Sequence, residues 1–206
     1  MNALILVDIQ NDFLPTGALP VPHGNEVVEI ANSLQPRFDL VVATQDWHPA
    51  DHGSFAANHD KETVGDTIDL NGLEQVLWPV HCVQHTRGAE FAPALDTSRV
   101  KKIFVKGTDP AVDSYSGFFD NARRRATGLD GYLKQQHVTD AYIMGLATDY
   151  CVKFTALDAQ DLGFKTYVVQ DGCRGVNLHP DDVSNSLAEM RRAGINIVTS
   201  EVLLQS

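Results

Sequence analysis

Residues 3–8 read Ala-Leu-Ile-Leu-Val-Asp, a run of apolar side chains that ends at the carboxylate of Asp8. A short continuous apolar run, without polar alternation, is typical of a β-strand that is buried on both faces. Five later segments have the same character, at residues 40–44, 103–106, 141–146, 165–170 and 195–198. The sequence therefore predicts six buried strands.

Helical patterns separate most of these strands. Residues 24–34 carry apolar side chains at i, i+3, i+4 and i+7, which is the spacing of one face of an amphipathic helix. Residues 149–162 predict a second helix, which Gly163 ends, and Pro180 begins a third. Strands that alternate with helices predict an α/β fold with a parallel sheet covered on both faces.

Composition limits the class of protein and its partners. The chain has 206 residues, 43% of them hydrophobic, and a formal net charge of −11, which suits one globular domain over residues 1–206. The acidic balance argues against a nucleic-acid partner, and no apolar run reaches the ~18 residues of a membrane span. The first residues lack the pattern of a signal peptide, so we expect a cytoplasmic protein. A homo-oligomer remains open.

Two long stretches, residues 45–87 and 107–121, do not fit the alternation of strands and helices. Long loops in a compact domain are usually functional, and open α/β sheets bind ligands beyond the carboxyl ends of their strands. Asp8, Asp46, Lys106 and residues 147–151 follow predicted strands at this edge. We therefore expect the functional site there.

The first long loop has the composition of a metal site. Asp46 and His48 lie two residues apart, so an extended segment turns both side chains to the same side. Further histidines follow in the same region, at His52, His59, His81 and His85. A carboxylate with imidazoles suits zinc, iron or manganese. The alternative is a set of ordinary polar loop residues.

Cys151 is predicted near the N-terminus of the second helix, with Thr148 and Asp149 as candidate caps. The helix dipole at that place would lower the pKa of the thiol, and backbone N–H groups could donate to an oxyanion. A small buried apolar side chain is the alternative. Cys82 and Cys173 lack this setting and are interpreted as structural.

Lys106 ends an apolar strand, where burial without a counter-charge would be costly. Asp8, at the end of the first strand, is the expected partner, and the lysine would hold it ionised. Three loop aromatics could form the wall of a flat apolar ligand site, and each could equally be core packing: Phe13, Trp78 and Tyr115.

Five segments together resemble the nicotinamidases, also called pyrazinamidases, of the isochorismatase-like cysteine hydrolase superfamily. They are residues 7–13, 45–49, 78–83, 105–107 and 145–152, and the similarity extends from residue 3 to about 200. It implies an isochorismatase-like hydrolase domain. The implied fold is a three-layer α/β/α sandwich with a six-stranded, mainly parallel, Rossmann-like sheet that binds no nucleotide.

The resemblance also implies roles for individual residues. The catalytic triad of the family matches Asp8, Lys106 and Cys151, and its metal ligands match Asp46, His48 and His81. The aromatic residues that stack on the pyridine ring match Phe13, Trp78 and Tyr115. Backbone N–H groups of Ala147 and Cys151 match the oxyanion hole, after a Leu146–Ala147 peptide that is typically cis. His52 follows His48 at a shorter spacing than the fourth histidine ligand of some relatives, so it is either a ligand or a neighbour of one.

The implied activity is hydrolysis of nicotinamide, and of pyrazinamide, at the carboxamide C–N bond through a cysteine thioester, in NAD salvage. The implied cofactor is one divalent metal ion, with zinc favoured and iron or manganese compatible. Three rivals stay open. They are a metal-free amidohydrolase acting on a carbamoyl or ureido substrate, a hydrolase whose metal-bound hydroxide attacks directly, and a metal-binding module without catalysis.

Overall fold

The computed structural model describes residues 1–205, and a six-stranded parallel sheet forms its centre. The described residues contain eight strands: β1 (Asn2–Val7), β2 (Leu40–Asp46), β3 (Thr67–Leu70), β4 (Leu73–Val76), β5 (Val100–Lys106), β6 (Asp140–Leu146), β7 (Lys165–Arg174) and β8 (Asn196–Val198). The large sheet has the order β5-β2-β1-β6-β7-β8, while β3 and β4 form a separate antiparallel hairpin. The predicted six-stranded α/β fold is confirmed.

Five α-helices accompany the strands: α1 (Glu26–Leu34), α2 (Leu129–Gln135), α3 (Lys153–Asp161), α4 (Asp182–Arg192) and α5 (Ser200–Gln205). Helices α1 and α5 pack together against β7, and α3 and α4 pack together against β7 and β8. The chain runs from β1 to β2 towards one edge of the sheet and from β6 to β7 towards the other, and right-handed crossovers in these opposite directions place α1 and α3 on opposite faces. None of these helices is long and apolar enough to cross a membrane.

The structure departs from the sequence-based prediction outside the sheet. The hairpin β3–β4 lies within a stretch that was interpreted as a long, mostly non-periodic loop, and α2 and α5 were not predicted. Helix α4 begins at Asp182 rather than at Pro180, because the Asp182 carboxylate accepts a hydrogen bond from the His179 N–H at 2.8 Å and closes a turn ahead of the helix.

A close approach between β1 and β6 determines where the polar residues beyond them lie. Val7 pairs with Gly145, whose φ is +126°, and a Cβ on Gly145 would lie 2.1 Å from the Val7 carbonyl oxygen. Only glycine permits both this conformation and this distance. The contact brings Asp8, which follows β1, beside the segment that follows β6.

We therefore expect Gly145→Ala to destabilise the protein strongly, since the new methyl group meets backbone rather than a movable side chain. The free energy of unfolding should fall by roughly 2 kcal/mol or more, or about 5 °C in Tm. The control is Gly131→Ala in α2, where a Cβ would meet no atom within 4 Å; it should raise Tm by about 2 °C through helix propensity. Thermal melts of both variants give the comparison, and equal melting temperatures would contradict the close-approach argument.

Candidate active site

The side chain of Lys106 is 2% exposed and lies among charged groups at the carboxyl ends of the strands. Its Nζ lies 2.8 Å from Oδ2 of Asp8 and within hydrogen-bond distance of Oδ1 of Asp46. It also donates to the Ser114 carbonyl oxygen at 2.9 Å and lies 3.3 Å from Sγ of Cys151. The predicted pairing with Asp8 is present, and Asp46 and Cys151 share the same ammonium.

Asp8 is fully buried, with a positive φ of 48° at the end of β1. Thr44 donates its hydroxyl to Oδ1 at 2.7 Å, while Oδ2 contacts Lys106. Burial raises the pKa of Asp8, and the Lys106 ammonium and the Thr44 hydroxyl oppose that rise. A carboxylate with a raised pKa, next to a thiol, is suited to accept and return a proton.

Cys151 lies in a π-helical turn, Thr148–Val152, which leads into α3. The Leu146–Ala147 peptide bond before this turn is cis, as the resemblance implied. Burial raises the pKa of the Cys151 thiol well above its usual range, and the Lys106 ammonium offsets only part of this rise. The expected lowering of that pKa at the helix N-terminus is wrong, because the side chain is removed from water.

The predicted capping by Thr148 and Asp149 is also absent. No side chain caps the turn that contains Cys151. The Asp149 carboxylate instead accepts the backbone N–H groups of Val176 and Asn177, at 3.0 and 2.7 Å. Asp149 thus ties the segment after β7 to the turn, and Val176 is one wall of the cavity described below.

Asp46, His48 and His81 form a cluster whose candidate ligand atoms lie within 4.8 Å of one another. Nε2 of His48 is 3.7 Å and Nε2 of His81 is 3.9 Å from Oδ2 of Asp46. The other ring nitrogens face carbonyl oxygens at 2.8 Å, those of Gly107 and Pro79. These contacts place the ring proton on Nδ1 and leave each Nε2 lone pair directed at the cluster, which is how metal-binding histidines are usually oriented.

The electrostatics of the cluster also suit a cation. Lys106 and the two imidazoles lower the pKa of Asp46 despite its burial, so it stays a carboxylate. Burial and the neighbouring His48 lower the pKa of His81 to about 4, so its imidazole is neutral at pH 7. The Asp46 carboxylate raises the pKa of His48 despite its burial, and because metals bind deprotonated ligands, an ion would displace the proton that Asp46 favours on His48. The residues present therefore fit a divalent ion.

His52 lies beside this cluster, with its ring centroid 4.4 Å from that of His48. Both the hydroxyl and the backbone N–H of Ser54 lie within hydrogen-bond distance of its Nδ1, at 2.7 and 3.2 Å. Because the N–H can only donate, Nδ1 is an acceptor and the ring proton lies on Nε2. His52 groups with His48 and Asp113 rather than with Asp46 and His81. The structure thus favours a neighbour of the ligands, and His59 and His85 lie outside both groups.

A cavity of about 410 Å³, including its open mouth, joins the cysteine to the metal-type cluster. The predicted aromatic residues Phe13, Trp78 and Tyr115 all line it, with Asp46, His48, His81, Ala147 and Cys151. Leu19, Asp113, Tyr150 and Val176 complete the lining. The cavity has apolar and aromatic walls, a nucleophile and a cation-type cluster, so it suits a small planar ring that bears a polar group.

Sequence reasoning missed two residues that hold the buried carboxylates. Gln10 accepts the Asp46 N–H at Oε1 and donates to the Asp46 carbonyl from Nε2, both at 2.8 Å. Thr44, which bonds to Asp8, lies two residues before Asp46 and therefore on the same face of β2. That spacing was a usable signal for Thr44, while Gln10 lies in the segment 7–13 that carries the resemblance, which gave it no role of its own.

Comparisons with known proteins agree with this geometry. Residues 2–202 match the isochorismatase domain. The chain is 51% identical to the nicotinamidase of Escherichia coli K12, over 96% of this chain and 94% of that one. An Acinetobacter baumanii nicotinamidase/pyrazinamidase structure superposes with a TM-score of 0.95 at 42% identity, covering 98% and 97% of the two chains.

Two further solved structures contain ligands. The yeast nicotinamidase bound to the inhibitor nicotinaldehyde has a TM-score of 0.90 at 35% identity, covering 97% of this chain and 100% of that one. The pyrazinamidase of Pyrococcus horikoshii in complex with zinc has a TM-score of 0.78 at 40% identity, covering 96% and 98%.

The orientation of the imidazoles generates a prediction for metal binding. His81→Ala removes one of three ligands, so affinity for zinc should fall at least about 100-fold. The matched control is His59→Ala in the same loop region, whose ring contacts the Gly53 carbonyl and not the cluster. Elemental analysis after dialysis against buffered zinc gives the stoichiometry. Full zinc occupancy in His81→Ala would refute the ligand assignment.

Proposed function

The chain belongs to the isochorismatase family, and we propose that it is a nicotinamidase, which hydrolyses nicotinamide to nicotinate and ammonia. One observation carries the chemistry: Sγ of Cys151 lies 3.3 Å from Nζ of Lys106, which lies 2.8 Å from Asp8, beside an aromatic cavity and a metal-type cluster. Identity of 51% to a nicotinamidase over nearly the whole chain supports the same activity.

Asp46, His48 and His81 are the proposed ligands of one divalent ion, and zinc is favoured by the zinc-bound pyrazinamidase to which the chain is similar. When bound, such an ion would supply a Lewis-acidic template that orients the ring nitrogen of the substrate. Phe13, Trp78 and Tyr115 are the proposed walls of the ring site. The nicotinaldehyde held by the yeast enzyme supports a pyridine ring as the ligand.

Acylation begins when the Asp8 carboxylate accepts the thiol proton of Cys151 while sulfur attacks the amide carbon. The C=O double bond opens to an oxyanion, and the backbone N–H groups of Ala147 and Cys151 are its proposed donors. Lys106 stabilises the negative charge as it moves from Asp8 to sulfur, since its ammonium contacts both. The raised pKa of the thiol makes this coupled transfer necessary, because little thiolate exists beforehand.

The intermediate collapses when the C–N bond breaks and Asp8 returns its proton to the leaving nitrogen, which departs as ammonia. The acyl group remains on Cys151 as a thioester. Asp8 then accepts a proton from a water molecule while the oxygen of that water molecule attacks the thioester carbon. The C–S bond breaks, nicotinate leaves, and the proton on Asp8 returns to sulfur. Pyrazinamide, a similar small ring with a carboxamide, is expected to follow the same steps.

The three rivals make different demands on the site. A carbamoyl or ureido amidohydrolase would not need the Asp46, His48 and His81 cluster. Direct attack by metal-bound hydroxide would not need a cysteine beside a buried lysine. A module without catalysis would not need the triad at all. We further propose that residues 1–206 form one domain that acts in the cytoplasm in NAD salvage, with oligomeric state left open.

The nucleophile assignment predicts that Cys151→Ala abolishes ammonia release from nicotinamide, to below about a thousandth of the wild-type kcat. The control Cys173→Ala changes a buried cysteine that lies outside the cavity lining, and it should keep at least about a third of kcat. Ammonia is measured by a coupled assay, with bound metal and Tm checked in parallel. Substantial turnover by metal-loaded Cys151→Ala protein would favour direct attack by hydroxide and would contradict the thioester mechanism.

The buried ammonium predicts a change in pH dependence. Lys106→Met keeps length and volume but removes the charge that lowers the pKa of Asp8, so that pKa rises further. Because Asp8 works as the carboxylate, the acid limb of the pH–rate profile should move to higher pH, and kcat should fall at least about 100-fold. Lys101→Met, on the exposed part of β5, should change neither. An unchanged acid limb with near-normal turnover would remove Lys106 from the triad.

A further inference from the structure

The hairpin β3–β4 buries a single residue, and that residue is polar. Of the eight residues in its two strands, only Gln75 is buried, with 2% of its surface exposed. A hairpin that contributed to the core would bury its apolar side chains instead. Because the buried group is the side-chain amide of Gln75, the main role of the hairpin is to support the residues that this amide contacts.

Gln75 contacts the wall of the active-site cavity. Its Nε2, which carries two protons, lies within hydrogen-bond distance of three acceptors: Oδ2 of Asp113 and the hydroxyl oxygen of Tyr115, both at 3.0 Å, and the Val76 carbonyl oxygen at 2.8 Å. The Tyr115 hydroxyl oxygen also accepts the indole N–H of Trp78 at 3.3 Å. Two donor groups, the Gln75 amide and the Trp78 indole, thus contact that oxygen, and this fixes Tyr115 against Trp78.

The hairpin holds the loop of residues 107–121 at a second point. The amide of Asn71, at the hairpin turn, donates to the Ala111 carbonyl at 2.8 Å. The same loop supplies Tyr115 to the cavity and the Ser114 carbonyl to Lys106. The side-chain amides of Asn71 and Gln75 thus fix the loop of residues 107–121, which has no helix or strand of its own.

We propose that Gln75 is a positioning residue for ring binding, an inference that rests on the proposed nicotinamidase function. Its amide holds Tyr115 and Asp113 in the places where the cavity presents a flat aromatic wall. The neutral amide is required, because a glutamate at this position would bring a second carboxylate to Asp113. An apolar residue would leave the Asp113 carboxylate and the Tyr115 oxygen short of a buried donor, which is costly.

Loss of this amide should affect substrate binding more than the chemical step. The reacting groups Cys151, Lys106 and Asp8 have their own hydrogen bonds and ion pairs, and none of these is made with Gln75. A wall that contacts the ring equally in the ground state and the transition state contributes uniform binding, so weakening it raises KM and leaves kcat nearly unchanged.

The test compares Gln75→Met, which keeps length and burial without a donor, with Glu74→Gln at the exposed neighbouring position. With nicotinamide as substrate, Gln75→Met should raise KM about tenfold and change kcat less than about threefold. Glu74→Gln should match the wild type. Asn71→Gly, which accepts the positive φ of 55° and removes the second anchor, should raise KM in the same direction.

A double-mutant cycle separates positioning from a general loss of stability. In the Tyr115→Phe background the acceptor oxygen is absent, so Gln75→Met should then raise KM less than about threefold. Bound metal and Tm are measured for every variant. An unchanged KM in folded Gln75→Met, a fall confined to kcat, or the same KM increase in both backgrounds would each overturn the inference. If Gln75→Met does not fold, an unchanged KM in Asn71→Gly overturns it. A wild-type protein that releases no ammonia would overturn the proposed function, and this inference with it.

Discussion

The buried ammonium of Lys106 is the interaction on which the rest of the site depends. An isolated charge in that place would be prohibitively costly, and only ionised partners in direct contact make it tolerable. Asp8 and Asp46 come from the ends of two other strands, so one lysine forces three strand ends into a fixed arrangement. The Ser114 carbonyl adds the loop after β5 to the same centre.

Strand order makes this arrangement available. The chain leaves β1 to build β2 and β5 on one side, then returns to place β6, β7 and β8 on the other. Neighbouring strands β1 and β6 therefore send their following segments to opposite faces, and a crevice opens beyond their carboxyl ends. Asp8 follows one of these strands and Cys151 the other. The close contact between Gly145 and Val7 holds the ends of β1 and β6 together, so Asp8 and the Cys151 thiol can both contact the Lys106 ammonium.

The parts of the fold that depend on burial could be predicted from the sequence. Continuous apolar runs mark β1, β2 and β6, and the polar residue after each run marks the edge where the site forms. The parts that depend on individual polar contacts could not. The hairpin itself carried a usable signal, because residues 67–70 alternate polar and apolar side chains and Asn71 and Gly72 have positive φ values at its turn, but the contacts of Gln75 left no pattern. The thiol pKa of Cys151 was predicted in the wrong direction, because the helix position is visible in a sequence whereas the burial that outweighs it is a property of packing.

Asp46 contacts both the catalytic lysine and the two histidines of the metal-type cluster, one group with each carboxylate oxygen. Oδ1 contacts the Lys106 ammonium, whereas Oδ2 faces Nε2 of His48 and His81. Burial is the largest cause of the raised pKa of the Cys151 thiol, the Lys106 ammonium lowers that pKa, and the carboxylates of Asp8 and Asp46 raise it further. A divalent ion held by Asp46, His48 and His81 would offset the part of this rise that the Asp46 carboxylate causes. The metal-type cluster is therefore electrostatically coupled to the nucleophile through a shared carboxylate, in addition to any part it has in holding the ring.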